Sequence, residues 1–289
     1  MSEISRNRSE GWQHAKISGH ENEESFGAFL MSNHDAQEAL FLAKFDSGFR
    51  MQSLGTVDVD GAKKVPSLLG DITTSKVDLM ISWPQASLNI SLKKSLSGQV
   101  WLVSVDRFLA AMDFYGASAS EDVQKALSLF IGGANLNPYS SEFALGLSHE
   151  RNASPSIYAQ SAHQQRLLAV TLLKVFPDEW FALLDYFETN IGLITWLMFA
   201  KGLALDSNDE ADLIVYNNVF SRQNIFNITE LMQLAQQRVK DSPIQAGPRN
   251  GGSTLLLPTG FMQMHHPQGE NLIQFHHKFS EVFSLFSDA

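Results

Sequence analysis

Residues 70–108 read GDITTSKVDLMISWPQASLNISLKKSLSGQVWLVSVDRF, two short strands followed by a helix. From Val77 to Trp83 the chain alternates. Val77, Leu79, Ile81 and Trp83 share one face, and Asp78, Met80 and Ser82 the other. Pro84-Gln85-Ala86-Ser87 supplies a turn, after which Leu88, Ile90 and Leu92 point inward while Asn89, Ser91 and Lys93 share the opposite face. Paired as a hairpin, the two strands bring Asp78, Ser91 and Lys93 together at the rim of a sheet. Ser97 is the expected N-cap of a helix from Gly98 to Phe114, on which Gln99, Val103 and Asp106 stand at i, i+4 and i+7 on one stripe.

An acid beside a lysine is the equipment of metal-assisted phosphodiester hydrolysis. The carboxylate binds a hard divalent cation, the cation polarises the phosphate and acidifies a water, and the ammonium stabilises the developing negative charge or orients the nucleophile. Asp78, twelve intervening residues, then Ser91-Leu92-Lys93 resembles the Asp…(Asp/Glu)-X-Lys signature of the PD-(D/E)XK nucleases, and in particular of type II restriction endonucleases. Val77 stands where that signature has Pro, and Ser91 where it has its second carboxylate. The resemblance covers roughly the first 115 residues. It implies an α/β fold with a restriction-endonuclease-like core, a mixed central sheet flanked by helices, and it implies Mg²⁺ as cofactor. It further implies double-stranded DNA as substrate, a homodimer on a palindromic site and a cognate DNA methyltransferase in the same system. Asp78, Ser91 and Lys93 are then the expected catalytic residues, with Asp78 a metal ligand. The carboxylate missing at Ser91 is expected from Asp106 or from an early helix, where Glu24 is placed ahead of Glu23. Ser91 also leaves room for a DNA-binding protein on the same fold without catalysis, and a structure-specific repair or recombination nuclease of this fold is a further alternative.

Composition bounds the class. The chain has 289 residues, no cysteine and a net charge of −10. Disulfides and thiolate zinc sites are excluded, which suits a reducing cytoplasm. The opening MSEISRNRSEGW lacks the apolar core of a signal peptide, and Ile191–Ala200, the most apolar run, is too short to span a bilayer. A soluble cytoplasmic protein without a membrane partner is expected. The acidic balance argues against a general nucleic-acid coat but is compatible with a local basic cleft. Lys63, Lys64, Lys76, Lys93, Lys94 and Arg107 cluster in sequence around the proposed site, and ordinary solvated surface is the other reading of them.

Three regions are expected: a catalytic core over 1–116, a helical insertion over 117–207, and a final part over 208–289 with another core strand, a helix and a C-terminal β-hairpin. Glu21 to Glu24 open one helix and His34 to Phe45 form the next. Ser120 caps a helix that Gly132-Gly133 stops, Asn135–Pro155 reads as a long loop, and Ile157–Phe176 and Pro177–Leu205 are helical. In the second of these, Trp180, Leu183, Phe187, Ile191 and Ile194 make a core stripe. Ala211–Asn217 is a buried strand. Near the end, Gln263-Met264-His265-His266 and Gln274-Phe275-His276-His277 echo each other around Pro267-Gln268-Gly269, a hairpin pattern. Gln263, His265, Gln274 and His276 are the candidates for touching base edges, joined by Lys94 and Gln99 beside the catalytic strand. A hairpin that merely covers the core is the alternative.

Overall fold

The structure, a computed structural model, describes residues 21–45, 50–132, 166–248, 251–265 and 271–288. The loop expected over Asn135–Pro155, the start of the helix expected from Ile157, and Pro267-Gln268-Gly269 lie outside the described residues. The chain divides into two compact units, Met1–Leu96 with Phe199–Glu230 and Ser97–Met198 with Leu231–Ala289.

In chain order the elements up to the first boundary are α1 (21–32), α2 (His34–Lys44), β1 (Thr56–Val59), β2 (Lys64–Pro66), β3 (Ile72–Thr74), β4 (Leu79–Trp83) and β5 (Ala86–Lys93). Then come β6 (Ser97–Ser104), α3 (Val105–Phe114), α4 (Glu121–Ile131), α5 (Ala169–Val175), α6 (Pro177–Thr189) and α7 (Ile191–Trp196), which runs on into a π-type turn, Leu197–Lys201. The rest is β7 (Leu213–Tyr216), β8 (Ile225–Asn227), α8 (Ile228–Asp241), β9 (Gln245–Ala246), β10 (Thr254–Leu257), β11 (Gly260–His265), β12 (Leu272–Lys278) and α9 (Phe279–Ser287).

The first unit is the α/β core with a mixed sheet. Its strand order is β1-β4-β5-β7-β8, with β5 and β7 parallel and the other neighbours antiparallel. β4 and β5 form the expected hairpin, with Leu79 opposite Ile90 and Trp83 opposite Ala86, so the turn is only Pro84-Gln85. Leu79, Ile81, Trp83, Leu88, Ile90 and Leu92 are buried against Phe26 and Leu30 of α1 and Ala36, Leu40 and Phe41 of α2. Each such side chain contributes about 1.5–3 kcal/mol. β7 is the strand expected over Ala211–Asn217, and its four residues are all buried, as a parallel neighbour inside a covered sheet requires. Gln37 sits wholly buried on α2, but its carboxamide is satisfied: Nε2 donates to Leu30 O and Gly55 O, both at 3.1 Å, and Oε1 accepts from Gly55 N at 2.7 Å. It thereby ties the α1–α2 corner to the chain entering β1.

The second unit holds an antiparallel sheet of order β6-β12-β11-β10-β9, helices α3 to α7 and α9, and α8 from Leu231 onward. The C-terminal hairpin forms with Gln263 opposite Gln274, but as two strands of this larger sheet. The helix expected over Gly98–Phe114 is corrected. Ser97–Ser104 is strand β6, and the helix begins at Val105 with Ser104 as its N-cap, accepting from Arg107 N. Val100, Trp101, Leu102 and Val103 are β-branched or large apolar residues that favour a pleated, half-buried surface, and β12 gives them a partner. The ladder shifts between Phe275 and His276: Phe275 pairs with Trp101 and His276 with Gln99, so Val100 is the extra residue of a bulge.

Candidate active site

The β4–β5 hairpin does what its alternation implies. Asp78 enters β4 with its N–H donated to Ile90 O at 2.9 Å, and its Oδ2 accepts from Leu92 N at 2.7 Å. That second bond fixes the carboxylate against the middle residue of Ser91-Leu92-Lys93. Ser91 is buried, and its Oγ accepts from Lys93 Nζ at 2.6 Å, since residues two apart on a strand share a face. The structure therefore brings Asp78, Ser91 and Lys93 together.

Lys93 is half-buried, and burial lowers its proton affinity, while the negative charges of Asp78 and Glu23 pull in the other direction. Lys76 shares these surroundings. Burial first, and then the neighbouring Lys93, bring its pKa down to about 7, against the opposing pull of Asp78. Sequence reading placed Lys76 only within a general basic cluster. The stretch before a strand carries no period that would say where its side chain points.

Of the two early glutamates, the geometry singles out Glu23. Glu23 is half-buried and within the field of Lys93, whereas Glu24 is exposed on the next position of α1. Gly61, in the turn after β1, makes room for the Glu23 carboxylate: a Cβ there would stand 1.8 Å from Oε2. The start of α1 is also held by Asn217 at the end of β7, whose Nδ2 donates to Asn22 Oδ1. Only the packing of α1 on the sheet distinguishes these adjacent helical residues, and the sequence does not carry it.

Asp78 and Glu23 both act on Lys93, and carboxylate oxygens are the donor type that suits a hard divalent cation. Among the described residues, the three acidic or histidine side chains whose ligand atoms gather within 4.8 Å of one another are His34, Asp35 and Glu38, along α2, of which His34 and Asp35 are exposed. Asp106 is exposed in the first turn of α3, in the second unit. Its expected stripe with Gln99 and Val103 does not exist, because those two residues belong to strand β6. Lys94 follows Lys93 out of β5, is exposed, and its carbonyl accepts from Asn218 Nδ2.

Gln99, Gln263, Gln274 and His276 come together elsewhere, on one face of the second sheet. Gln274 Nε2 donates to Gln99 Oε1 at 2.7 Å, and Gln263 Nε2 donates to Gln274 Oε1 at 2.9 Å. Gln263 Nε2 also faces His276 Nε2 at 3.3 Å, and a carboxamide nitrogen can only donate, so that ring nitrogen accepts. The His276 ring stacks on Phe261 with centroids 4.4 Å apart. The bulge at Val100 is what turns Gln99 to this face while Trp101 stacks on Phe275.

Burial, and then His265, push the proton affinity of His276 below that of a free imidazole. A base whose folded pKa is lowered contributes stability above its unfolded pKa, about 6.5, and loses it as pH falls below that value. Thermal melts at about pH 7.5 and about pH 5.5 should show an acid-induced fall in Tm that is smaller in His276→Gln than in the wild type. An equal fall in both would remove His276 as its source.

No family model matches the chain, and no curated protein sequence matches it. Among solved structures, the restriction endonuclease MspI in complex with its cognate DNA is similar over 84% of this chain and 77% of that one, with 13% sequence identity and a TM-score of 0.42.

Proposed function

We propose that this protein is a Mg²⁺-dependent endodeoxyribonuclease that hydrolyses double-stranded DNA at a specific sequence, organised as a type II restriction enzyme. The observation that carries this reading is the convergence of Asp78, Ser91 and Lys93 on one hairpin, with Asp78 held by Leu92 N–H and Glu23 within the field of Lys93. Asp78 and Glu23 would hold the cation, which when bound polarises the phosphate and acidifies a water. Lys93, positioned by the Ser91 hydroxyl, places an ammonium where negative charge develops on the phosphoryl oxygens. Leu92 N–H, donating to Asp78 Oδ2, orients the Asp78 carboxylate. In this reading the protein works as a homodimer on a palindromic site, beside a methyltransferase that protects host DNA. The row of Gln99, Gln274, Gln263 and His276 would offer donors and acceptors to base edges.

Incubation with a long, sequenced duplex tests this. Discrete fragments are expected with Mg²⁺ and none with EDTA, and Asp78→Asn should reduce their formation by about 10²-fold or more. Fragments that persist with EDTA would exclude the metal-dependent mechanism. Discrete bands from an ordinary plasmid would also set aside a structure-specific repair nuclease.

One observation favours a second reading, a DNA-binding protein without catalysis. Ser91 stands where a carboxylate would complete a three-acid set, and its hydroxyl is engaged by Lys93. Intact DNA under all conditions, with a metal-independent gel shift, would establish that alternative.

A further inference from the structure

The outer face of the second sheet carries three carboxamides that bond to one another in a fixed direction. Gln99, Gln274, Gln263, His276 and Phe261 share that face, while Trp101, Ile273, Phe275 and Met262 line the buried one. Gln99 is exposed, Gln263 and His276 are half-buried, and Gln274, on the strand between β6 and β11, is buried. A carboxamide has two N–H donors and one oxygen acceptor. Gln263 spends both N–H groups, on Gln274 Oε1 at 2.9 Å and on His276 Nε2 at 3.3 Å, which leaves it only its oxygen. Gln274 spends one N–H on Gln99 Oε1 at 2.7 Å and keeps the other. Gln99, whose oxygen takes that bond, keeps both of its N–H groups among the described residues. His276 sets the direction. Its Nε2 accepts, and burial, which holds the ring neutral by lowering its proton affinity, keeps that lone pair available. Reversing the amides would set the Gln263 oxygen against it.

Across the row the unspent groups therefore read donor at Gln99, donor at Gln274 and acceptor at Gln263. In the major groove a G·C pair presents the complement: two acceptors on guanine, N7 and O6, and then the N4 donor of cytosine. An A·T pair alternates acceptor, donor and acceptor, so it would set a donor against a donor. The bidentate pairing of glutamine with adenine needs a free N–H and a free oxygen on one carboxamide. Gln263 has no N–H to give, and Gln99 has its oxygen tied to Gln274. We propose that this row determines sequence specificity by reading a G·C base pair, with Gln99 and Gln274 donating to guanine and Gln263 accepting from cytosine. The proposal rests on the nuclease reading above, since the ligand is taken to be duplex DNA.

The test is selection of the full chain's preferred duplexes from a randomised pool by gel shift, with Ca²⁺ replacing Mg²⁺ so that the DNA stays intact. The enriched sequence should contain a G·C pair at which 7-deazaguanine, which lacks the N7 acceptor, weakens binding roughly tenfold. Gln99→Glu keeps an oxygen for the bond from Gln274 and replaces the unspent N–H groups by a second acceptor. It should reduce the preference for that guanine over the other bases roughly tenfold, whatever its charge does to affinity for all sequences alike. An enriched sequence without a G·C pair, full binding of 7-deazaguanine duplexes at every guanine, or an unchanged guanine preference in Gln99→Glu would overturn the readout and leave the nuclease reading standing. Should the wild type bind no duplex, or bind without enriching any sequence, the site-specific nuclease reading itself falls and the readout with it. If Gln99→Glu does not fold, the 7-deazaguanine duplexes on the wild type decide alone.

Discussion

Lys93→Met is expected to slow DNA cleavage by about 10²–10³-fold, the loss typical of one charge-stabilising donor, without lowering the melting temperature. The two halves of this result have different physical sources. Holding a charged ammonium in a half-buried position is unfavourable, as the lowered proton affinity of Lys93 records. At neutral pH the folded state therefore carries a penalty that the unfolded chain, with a lysine near 10.4, does not. Methionine keeps the apolar stem and removes the charge. Against this, Ser91 Oγ loses its 2.6 Å donor, and Asp78 loses a counter-charge, although it keeps the bond from Leu92 N–H. Chemistry has no such compensation, because no methionine can donate to a phosphoryl oxygen. Single-turnover cleavage beside a thermal melt separates the two. Loss of activity together with a fall of several degrees in Tm would make Lys93 a structural residue, and unchanged cleavage would end its catalytic role. Lys93→Arg should recover little, since a planar fork cannot replace a compact ammonium held on a serine.

How far this site could be read in the sequence depended on whether a local period carried the information. The β4–β5 hairpin was legible, because Leu79, Ile81 and Trp83 and then Leu88, Ile90 and Leu92 alternate on both sides of Pro84-Gln85, and that alternation alone put Ser91 and Lys93 on one face. β7 was legible as an unbroken apolar run, but its direction, parallel to β5 and antiparallel to β8, was not, because burial is the same for either pairing. Segment 97–104 was misread because Ser97 and the true helix α3 nearby suggest one long helix. Only the pairing with β12, from the far end of the chain, decides for a strand. The bulge at Val100 was illegible for a related reason: it reverses which face Gln99 occupies relative to Trp101, against the period-2 rule that a sequence reader must use. Sequence offered Glu23 and Glu24 side by side and Lys76 only within a basic cluster, because the close approaches of Gly61 to Glu23 and of Gly202 to Lys76 are not encoded by any spacing along the chain.

Gly260→Ala should be among the most damaging single-methyl additions in the second unit. Gly260 opens β11 directly after the two-residue turn Pro258-Thr259, opposite His277, at φ +154°. That backbone angle is one L side chains rarely adopt, and the space is closed as well. A Cβ would stand 2.1 Å from His276 O and 3.0 Å from both His276 C and His277 Cα. These are backbone atoms of the neighbouring strand, so no rotamer change can make room. β11 and β12 would have to separate where Lys278 N donates to Thr259 O at 3.0 Å, and where the Phe261–His276 stack and the Gln263–Gln274 bond begin. A loss above about 3 kcal/mol is expected, which corresponds to a fall in Tm of roughly 10 °C. Gly116→Ala supplies the comparison. Gly116 also has positive φ, +80°, but nothing lies within 4 Å of the Cβ position. It should lose only the conformational term, about 1–2 kcal/mol. The excess loss in Gly260→Ala reports the steric clash together with the less favourable backbone angle at Gly260. If Gly260→Ala were no worse than Gly116→Ala, the close β11–β12 approach would be wrong, and with it the placement of Gln263, Gln274 and His276 on a common face.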